Sequence, residues 1–219
     1  MKHQHLRIYM KVIIAGGTGL VGKELVKILS ADENIETIMC LGRRNIWPQD
    51  GKVQVLKVDF DNLEELSESF DYGFCCLGTT IKKAGSQERF KQVDFHYSLN
   101  FAKLCQSAGV RVFSLVSSYG ANSKSRTFYS RVKGELEEEL KALSFEKLQI
   151  FQPSLLIGDR EEKRFLEDLG QKAYTWGSRT ILKPYLGTEV SELVKVMVKA
   201  MKDKEKREVE VFGPKSLSS

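Results

Sequence analysis

Residues 11–29 read KVIIAGGTGLVGKELVKIL, and the fold is decided in this stretch. Lys11–Ala15 is apolar and β-branched without alternation, the pattern of a strand covered on both faces. Leu20, Val21, Leu25, Val26 and Leu29 then recur at helical spacing, so a helix with one apolar face follows. Between the two lies Gly16-Gly17-Thr18-Gly19-Leu20-Val21-Gly22, which satisfies both Gly17-x-Gly19-x-x-Gly22 and Gly16-x-x-Gly19-x-x-Gly22. An early glycine makes the tight turn, a middle one lets backbone N–H groups approach a pyrophosphate, and the last lets the helix sit close to the strand. A diphosphate held there meets unpaired donors and the positive end of the helix dipole. The strand before and the helix after predict a dinucleotide-binding unit; the competing reading is a structural glycine turn.

The same alternation runs along the chain. Thr37–Leu41, Lys52–Val58, Gly73–Leu77, Arg111–Val116 and Leu148–Gln152 read as further buried strands. Leu63–Ser69, Gln92–Ser107, Tyr129–Leu143 and Glu189–Met201 read as helices between or after them. Strand–helix alternation implies an α/β fold, a doubly wound, mainly parallel sheet with helices on both faces. No linker or internal repeat is visible, so residues 1–219 are expected to form a single Rossmann-type domain. The polar stretch 159–188 is expected to form a small substrate cap over the strand ends.

The end of the second strand bears on which dinucleotide binds. An NAD site places Asp or Glu there to accept from the ribose hydroxyls. Here the chain reads Leu41-Gly42-Arg43-Arg44-Asn45. Guanidinium groups bind a 2′-phosphate with paired hydrogen bonds where a carboxylate would repel it, so NADP(H) is expected over NAD(H). Solvated loop arginines are the plain alternative. Asp59, after the third strand, is placed to contact the adenine or to cap a helix together with Asp61.

Residues 128–134 read FYSRVKG, with Tyr129 and Lys133 one helical turn apart. Seven tyrosines and 23 lysines in 219 residues make some Tyr-x-x-x-Lys roughly an even chance, so the spacing is worth little alone. Position raises its worth: the fifth strand ends at Ser117-Ser118, just before that helix, where an open α/β sheet collects its ligand-binding groups. Free tyrosine titrates near ~10, too high for efficient proton exchange at neutral pH, and a neighbouring ammonium favours the phenolate. A serine there would orient a carbonyl or hydroxyl and stabilise charge developing on oxygen.

The glycine turn, the serine and Tyr129-x-x-x-Lys133, in this order, resemble the short-chain dehydrogenase/reductase superfamily. The longer strings GFCCLGTTIKKAG (73–85) and FYSRVKGELEEEL (128–140) resemble its atypical Tat-interacting oxidoreductase-like proteins and their bacterial relatives. The resemblance covers about residues 10–160 well and the rest loosely. It implies a Rossmann-type fold, NADP(H), and a site formed by Ser118, Tyr129 and Lys133. It also implies that Gly78 and Thr79 line the cofactor and that Pro153 and Leu155 flank the nicotinamide side. Ser117 is the alternative serine, since successive residues at a strand end face opposite ways. Asp94 stands where many members carry asparagine, and Gln152 where extended members carry arginine.

Composition narrows the function classes. The net charge of +5 comes from 34 basic and 29 acidic residues spread along the chain, without the arginine block of a nucleic-acid binder. The cysteines Cys40, Cys75, Cys76 and Cys105 lack metal-ligand spacing and read as buried thiols, so no metal is expected. Without a secretory-signal pattern or a run of ~18 apolar residues, a cytoplasmic setting with no membrane contact is expected. His96 reads as a packed or surface residue. The acidic run GELEEEL and the series Lys195, Lys199 and Lys202 read as solvated helix faces.

Three functions follow. The first is an NADP(H)-dependent oxidoreductase that moves hydride to or from a small-molecule carbonyl or alcohol with a Ser-Tyr-Lys site. The second is a non-catalytic NADP(H)-binding regulatory or sensor protein. The third, weaker on chain length and Gln152, is a nucleotide-sugar epimerase or dehydratase. A homo-oligomer is compatible with all three and is not derivable from these residues.

Overall fold

The first strand and helix form where the sequence places them, with β1 at Met10–Ala15 and α1 at Leu20–Ser30. The computed structural model describes residues 9–43, 51–158, 187–203, 205 and 208–217. After α1 come β2 (Ile35–Gly42), β3 (Val53–Lys57) and β4 (Tyr72–Cys75). An unbroken helical stretch then comprises α3 (Gln87–Lys91), a π-helical turn (Gln92–Tyr97) and α4 (Ser98–Ser107), preceded by the short α2 (Ile81–Ala84). The chain continues through β5 (Val112–Val116), α5 (Phe128–Ala142), β6 (Lys147–Phe151) and β7 (Leu156–Ile157). Beyond them lie β8 (Thr188–Glu189), α6 (Val190–Lys202) and β9 (Val209–Phe212).

Seven strands form one sheet in the order β3-β2-β1-β4-β5-β6-β9, and every pairing in it is parallel. The order reverses at β1, which lies between β2 and β4, and this opens a crevice at the carboxyl ends of those strands. Alternate strand residues feed two separate cores. Ile13, Ala15, Phe113, Leu115, Leu148 and Ile150 pack with Phe101 and Cys105 of α4 and Leu136 and Leu140 of α5. Val12, Ile14, Phe74 and Phe151 pack on the other face with Leu25 and Leu29 of α1 and Leu193 and Met197 of α6. Covering both faces explains why the strand runs are continuously apolar. Phe74, Phe101, Phe113 and Phe151 are fully buried, each contributing about 1.5–3 kcal/mol by leaving water.

Three sequence readings are corrected here. Leu63–Ser69 is not helical: Leu63 and Leu66 pack on the α4 side of the core through irregular backbone. Its two leucines reach the core from irregular backbone, so burying them needs no helix there. The helix expected from Gln92 begins at Gln87, where the Ser86 hydroxyl accepts from the Arg89 N–H at 3.1 Å and caps it. The sheet does not end at the strand read from Leu148–Gln152, because β9, which the sequence reading did not place, adds beyond β6. The expected cap lies largely outside the described residues; at its borders β7 and β8 form a separate parallel pair.

Candidate functional site

The glycine turn is shaped by contacts that leave no room for a side chain. Gly16 has φ +84°, and a Cβ there would press into the backbone of Cys76 and Leu77 at the end of β4. A Cβ on Gly22 would strike the Gly16 carbonyl and the Gly17 Cα, so the last glycine serves the turn itself as well as helix packing. Gly19 is the N-cap of α1 and brings no side-chain cap to the first-turn N–H groups, and that turn holds no acidic residue. Free first-turn donors are what a helix N-terminus offers to an anion, so the turn fits a diphosphate.

Above the turn lies a cleft of about 670 Å³ at the carboxyl ends of the strands. It brings together Gly19, Leu20, Val21, Gly78, Thr79, Ser118, Tyr129, Lys133, Pro153 and Leu155, all expected from the sequence. Gly16, Gly17, Thr18 and Gly22 complete the turn. Arg43 is exposed just after β2, and Asp59 is exposed after β3; neither is in the cleft wall. Asp59 Oδ1 accepts from the Asp61 N–H at 3.0 Å, which closes a local turn. Arg44 lies outside the described residues. A second cavity, of about 330 Å³, is bordered by Phe145, Glu146 and Leu148 at the start of β6, the opposite end of the sheet from the cleft.

α5 supplies the ionisable groups. Its residues Tyr129, Lys133 and Glu137 are four apart and share one face. The helix starts close to the β5 end because Gly134 lies against the Asn122–Ser123 backbone, where no Cβ fits. Tyr129 packs on the buried ring of Phe90 in α3, with 5.4 Å between ring centroids. Lys133 is buried, and its Nζ lies 2.6 Å from Asp94 Oδ1. Asp94 is fully buried, and its Oδ2 accepts from the Thr79 N–H at 2.9 Å. Burial opposes the ammonium, but the Asp94 carboxylate and the Tyr129 phenol together overcome that and hold Lys133 above the ordinary lysine range.

The two serines at the end of β5 both border the cleft but turn their hydroxyls different ways. Ser117 is buried and its hydroxyl donates to Glu137 Oε1, whereas Ser118 is partly exposed, with its Oγ 3.4 Å from the Tyr119 carbonyl. Glu137 also accepts from Gln152 Nε2 at 3.0 Å on both oxygens. GELEEEL is thus not a uniformly solvated face: Glu137 is buried and ties the ends of β5 and β6 together. Cys76 is in the cleft wall, and burial pushes its thiol well above the usual range, so it is a neutral thiol there. Lys195, Lys199 and Lys202 are exposed as expected. Among the described residues, no cluster of three or more His, Cys, Asp or Glu could hold a metal ion, and no helix is long and apolar enough to cross a membrane.

The pairing of Asp94 with Lys133 and the engagement of Gln152 by Glu137 escaped the sequence reading. Asp94 stood out only as a departure from asparagine. Nothing in the linear pattern showed that the π-helical turn directs it inward.

A parallel sheet reversing at β1, with a glycine turn below and a Ser-Tyr-Lys cluster beside its crevice, is the architecture of an atypical short-chain dehydrogenase/reductase. The chain belongs to the NAD dependent epimerase/dehydratase family, which residues 12–213 match. It is 38% identical over 169 residues to Protein HTATIP2 of Rattus norvegicus, covering 74% of this chain and 69% of that one. It is 34% identical over 194 residues to Protein FMP52-1, mitochondrial, of Scheffersomyces stipitis, covering 84% of this chain and 86% of that one. A solved structure, MoeE5 in complex with UDP-glucose and NAD, superimposes with a TM-score of 0.69 at 15% identity, covering 93% of this chain and 76% of the other, and shares the fold. The cytoplasmic expectation is corrected: relatives from Scheffersomyces stipitis, Debaryomyces hansenii and Candida albicans are named as mitochondrial proteins. The missing secretory pattern never distinguished those two settings.

Proposed function

We propose that the chain is an NADP(H)-dependent oxidoreductase that interconverts a small carbonyl compound and its alcohol. The supporting observation is that Ser118, Tyr129, Lys133 and the glycine turn border one cleft. The family's NAD dependence and the NAD bound by MoeE5 support a nicotinamide dinucleotide. NADPH bound there supplies the hydride that reduces a carbonyl carbon. Tyr129 gives its phenolic proton to the carbonyl oxygen, and Ser118 donates a hydrogen bond to the same oxygen as negative charge develops on it. The Lys133 ammonium stabilises the phenolate left behind and donates to the ribose hydroxyls. The first-turn N–H groups of α1 hold the diphosphate. Arg43, after a strand end without a carboxylate, would favour a 2′-phosphate, and Gly78, Thr79, Pro153 and Leu155 would help hold the cofactor. Gln152 is engaged with Glu137, which argues against a role in gripping a sugar nucleotide.

NADPH consumption and transfer of deuteride from labelled NADPH to a panel of small aldehydes and ketones test this reading. Turnover is expected, with Tyr129→Phe lowering kcat by roughly 10²–10⁴-fold at unchanged NADPH affinity. Retained turnover in Tyr129→Phe removes the tyrosine from its role. NADPH binding without transfer to any carbonyl makes the chain a cofactor-binding regulatory protein instead.

A further inference from the structure

We propose that Asp94 is a positioning residue of this site, fixing Lys133 as an ammonium beside Tyr129 and coupling it to the cofactor-lining loop after β4. The inference rests on the reading of Tyr129 and Lys133 given above, and it begins from which donor each carboxylate oxygen faces. Oδ1 meets the Lys133 ammonium at 2.6 Å, and Oδ2 meets the Thr79 N–H at 2.9 Å. Among the described residues, Oδ1 has no other hydrogen-bond partner, so the lysine is its sole compensation.

That arrangement specifies a carboxylate. An amide at position 94 has one accepting oxygen and one donating nitrogen. Whichever way it turned, its NH2 would face either the ammonium or the Thr79 N–H, donor against donor. Asp94 alone serves both, and it can do so because it leaves a π-helical turn, Gln92–Tyr97, with its side chain fully buried. Turns of this kind are rare and collect at functional sites.

The location separates a working ion pair from a merely structural one. Burying two charges is weak as a stabilising device, since well-packed apolar residues often do as well. Here both residues of the pair line the cleft and lie beside Gly78, where an added Cβ would sit in ordinary contact with Asp94 Oδ1 at 3.7 Å and Lys133 Nζ at 4.0 Å. The charged and titratable groups that act on Lys133 are Asp94 from the π-helical turn, Tyr129 from its own helix and Cys75 from β4. Of these, Asp94 is the carboxylate. Without it, burial would act on the ammonium with only a phenol and a thiol to oppose it. The link to Thr79 adds a second consequence: displacement of the cofactor loop moves the group that orients Lys133.

The test is Asp94→Asn in the full chain, read by NMR of 13Cε-labelled lysine, with the Lys133 resonance assigned by its loss in Lys133→Arg. In the wild type, Lys133 is expected to stay charged to higher pH than the surface lysines, and in Asp94→Asn to lose its proton at lower pH than in the wild type. NADPH affinity and kcat of the variant are expected to fall roughly tenfold or more on the alkaline side, with the KM for the carbonyl substrate little changed. Asp94→Glu, which keeps the charge, is expected to restore the alkaline limb in part. A Lys133 titration unchanged by Asp94→Asn, or a loss equal at all pH values, overturns the proposal. If Asp94→Asn does not fold, the wild-type titration decides: Lys133 losing its proton with or before the surface lysines refutes it. The lysine titration and the NADPH affinity need no turnover. A protein that reduces nothing would therefore fail the oxidoreductase reading, while its Lys133 titration would still decide the role of Asp94.

Discussion

The two walls of the cleft are built on opposite principles. The β1–α1 wall is made by removing side chains: Gly16 and Gly22 exist because backbone atoms occupy the places where a Cβ would be. The α5 wall is made by burying charge: Lys133 lies against Asp94, and one turn further along the helix Glu137 accepts from Ser117 and Gln152. One wall offers fixed backbone donors to an anion, and the other offers protons whose positions depend on pH. A backbone cradle should therefore fail by steric collision and be indifferent to pH, while the charged wall should fail by desolvation and respond to it.

The largest expected effect tests the steric side. Gly22→Ala forces its methyl into the Gly16 carbonyl, and a loss of about 4 kcal/mol or more in urea unfolding is expected, with NADPH binding abolished. A well-folded Gly22→Ala protein that still binds NADPH would mean that the turn relaxes and the wall is not set by packing.

Lys133→Met is expected to cost about 3–5 kcal/mol, since it strands the Asp94 carboxylate in the core. The sign of the pH dependence is fixed by the raised folded value of Lys133. Stability from a raised lysine is fully present below the unfolded lysine value and is lost as pH rises through the folded one. Wild type should thus shed this contribution only in strongly alkaline solution, and Lys133→Met should lack that alkaline loss.

Glu137→Gln probes the other buried pair. Replacing the carboxylate leaves one accepting oxygen in place of two and puts an NH2 where an oxygen accepted from the Gln152 NH2, and a loss of about 1–2 kcal/mol by thermal unfolding is expected. A neutral outcome would show that the strand ends are held by their neighbours without this network.

The smallest effect comes from a control on the surface. Lys202 of α6 lies 2.6 Å from Asp32 at the turn after α1, and the lysine side chain is 49% exposed. Lys202, against some burial, holds the Asp32 carboxyl below its ordinary value. A depressed aspartate contributes stability above the unfolded value and loses it as pH falls through the folded one. Lys202→Ala should cost no more than about 1 kcal/mol near pH 7, and that difference should vanish in acid and shrink in high salt.

The cradle wall was legible because its demands are local. A turn that needs φ above zero at Gly16 and backbone contact at Gly22 leaves glycines at set intervals, flanked by a strand and a helix that are themselves periodic. The central strands β1, β4, β5 and β6 were legible for the same reason, within a residue or two at each end. β9 was not. Val209–Phe212 is four residues after a charged stretch, and its place beside β6 comes from pairing with a strand about sixty residues earlier. Leu63–Ser69 misled in the other direction, since two leucines three apart suit a helix and serve equally as anchors of irregular chain.

Tyr129, Lys133 and Ser118 could be chosen from linear order and resemblance, because they lie where the carboxyl ends of strands must open. Asp94 and Glu137 could not. Each carries a charge that a sequence assigns to solvent by default, and each is inside only because a partner distant in the chain compensates it. Backbone conformation is a property of neighbouring residues, so glycines and apolar periods declare the fold. Which buried charge meets which depends on how α3–α4, α5 and the strand ends dock, and that was decided only when the chain closed into three dimensions.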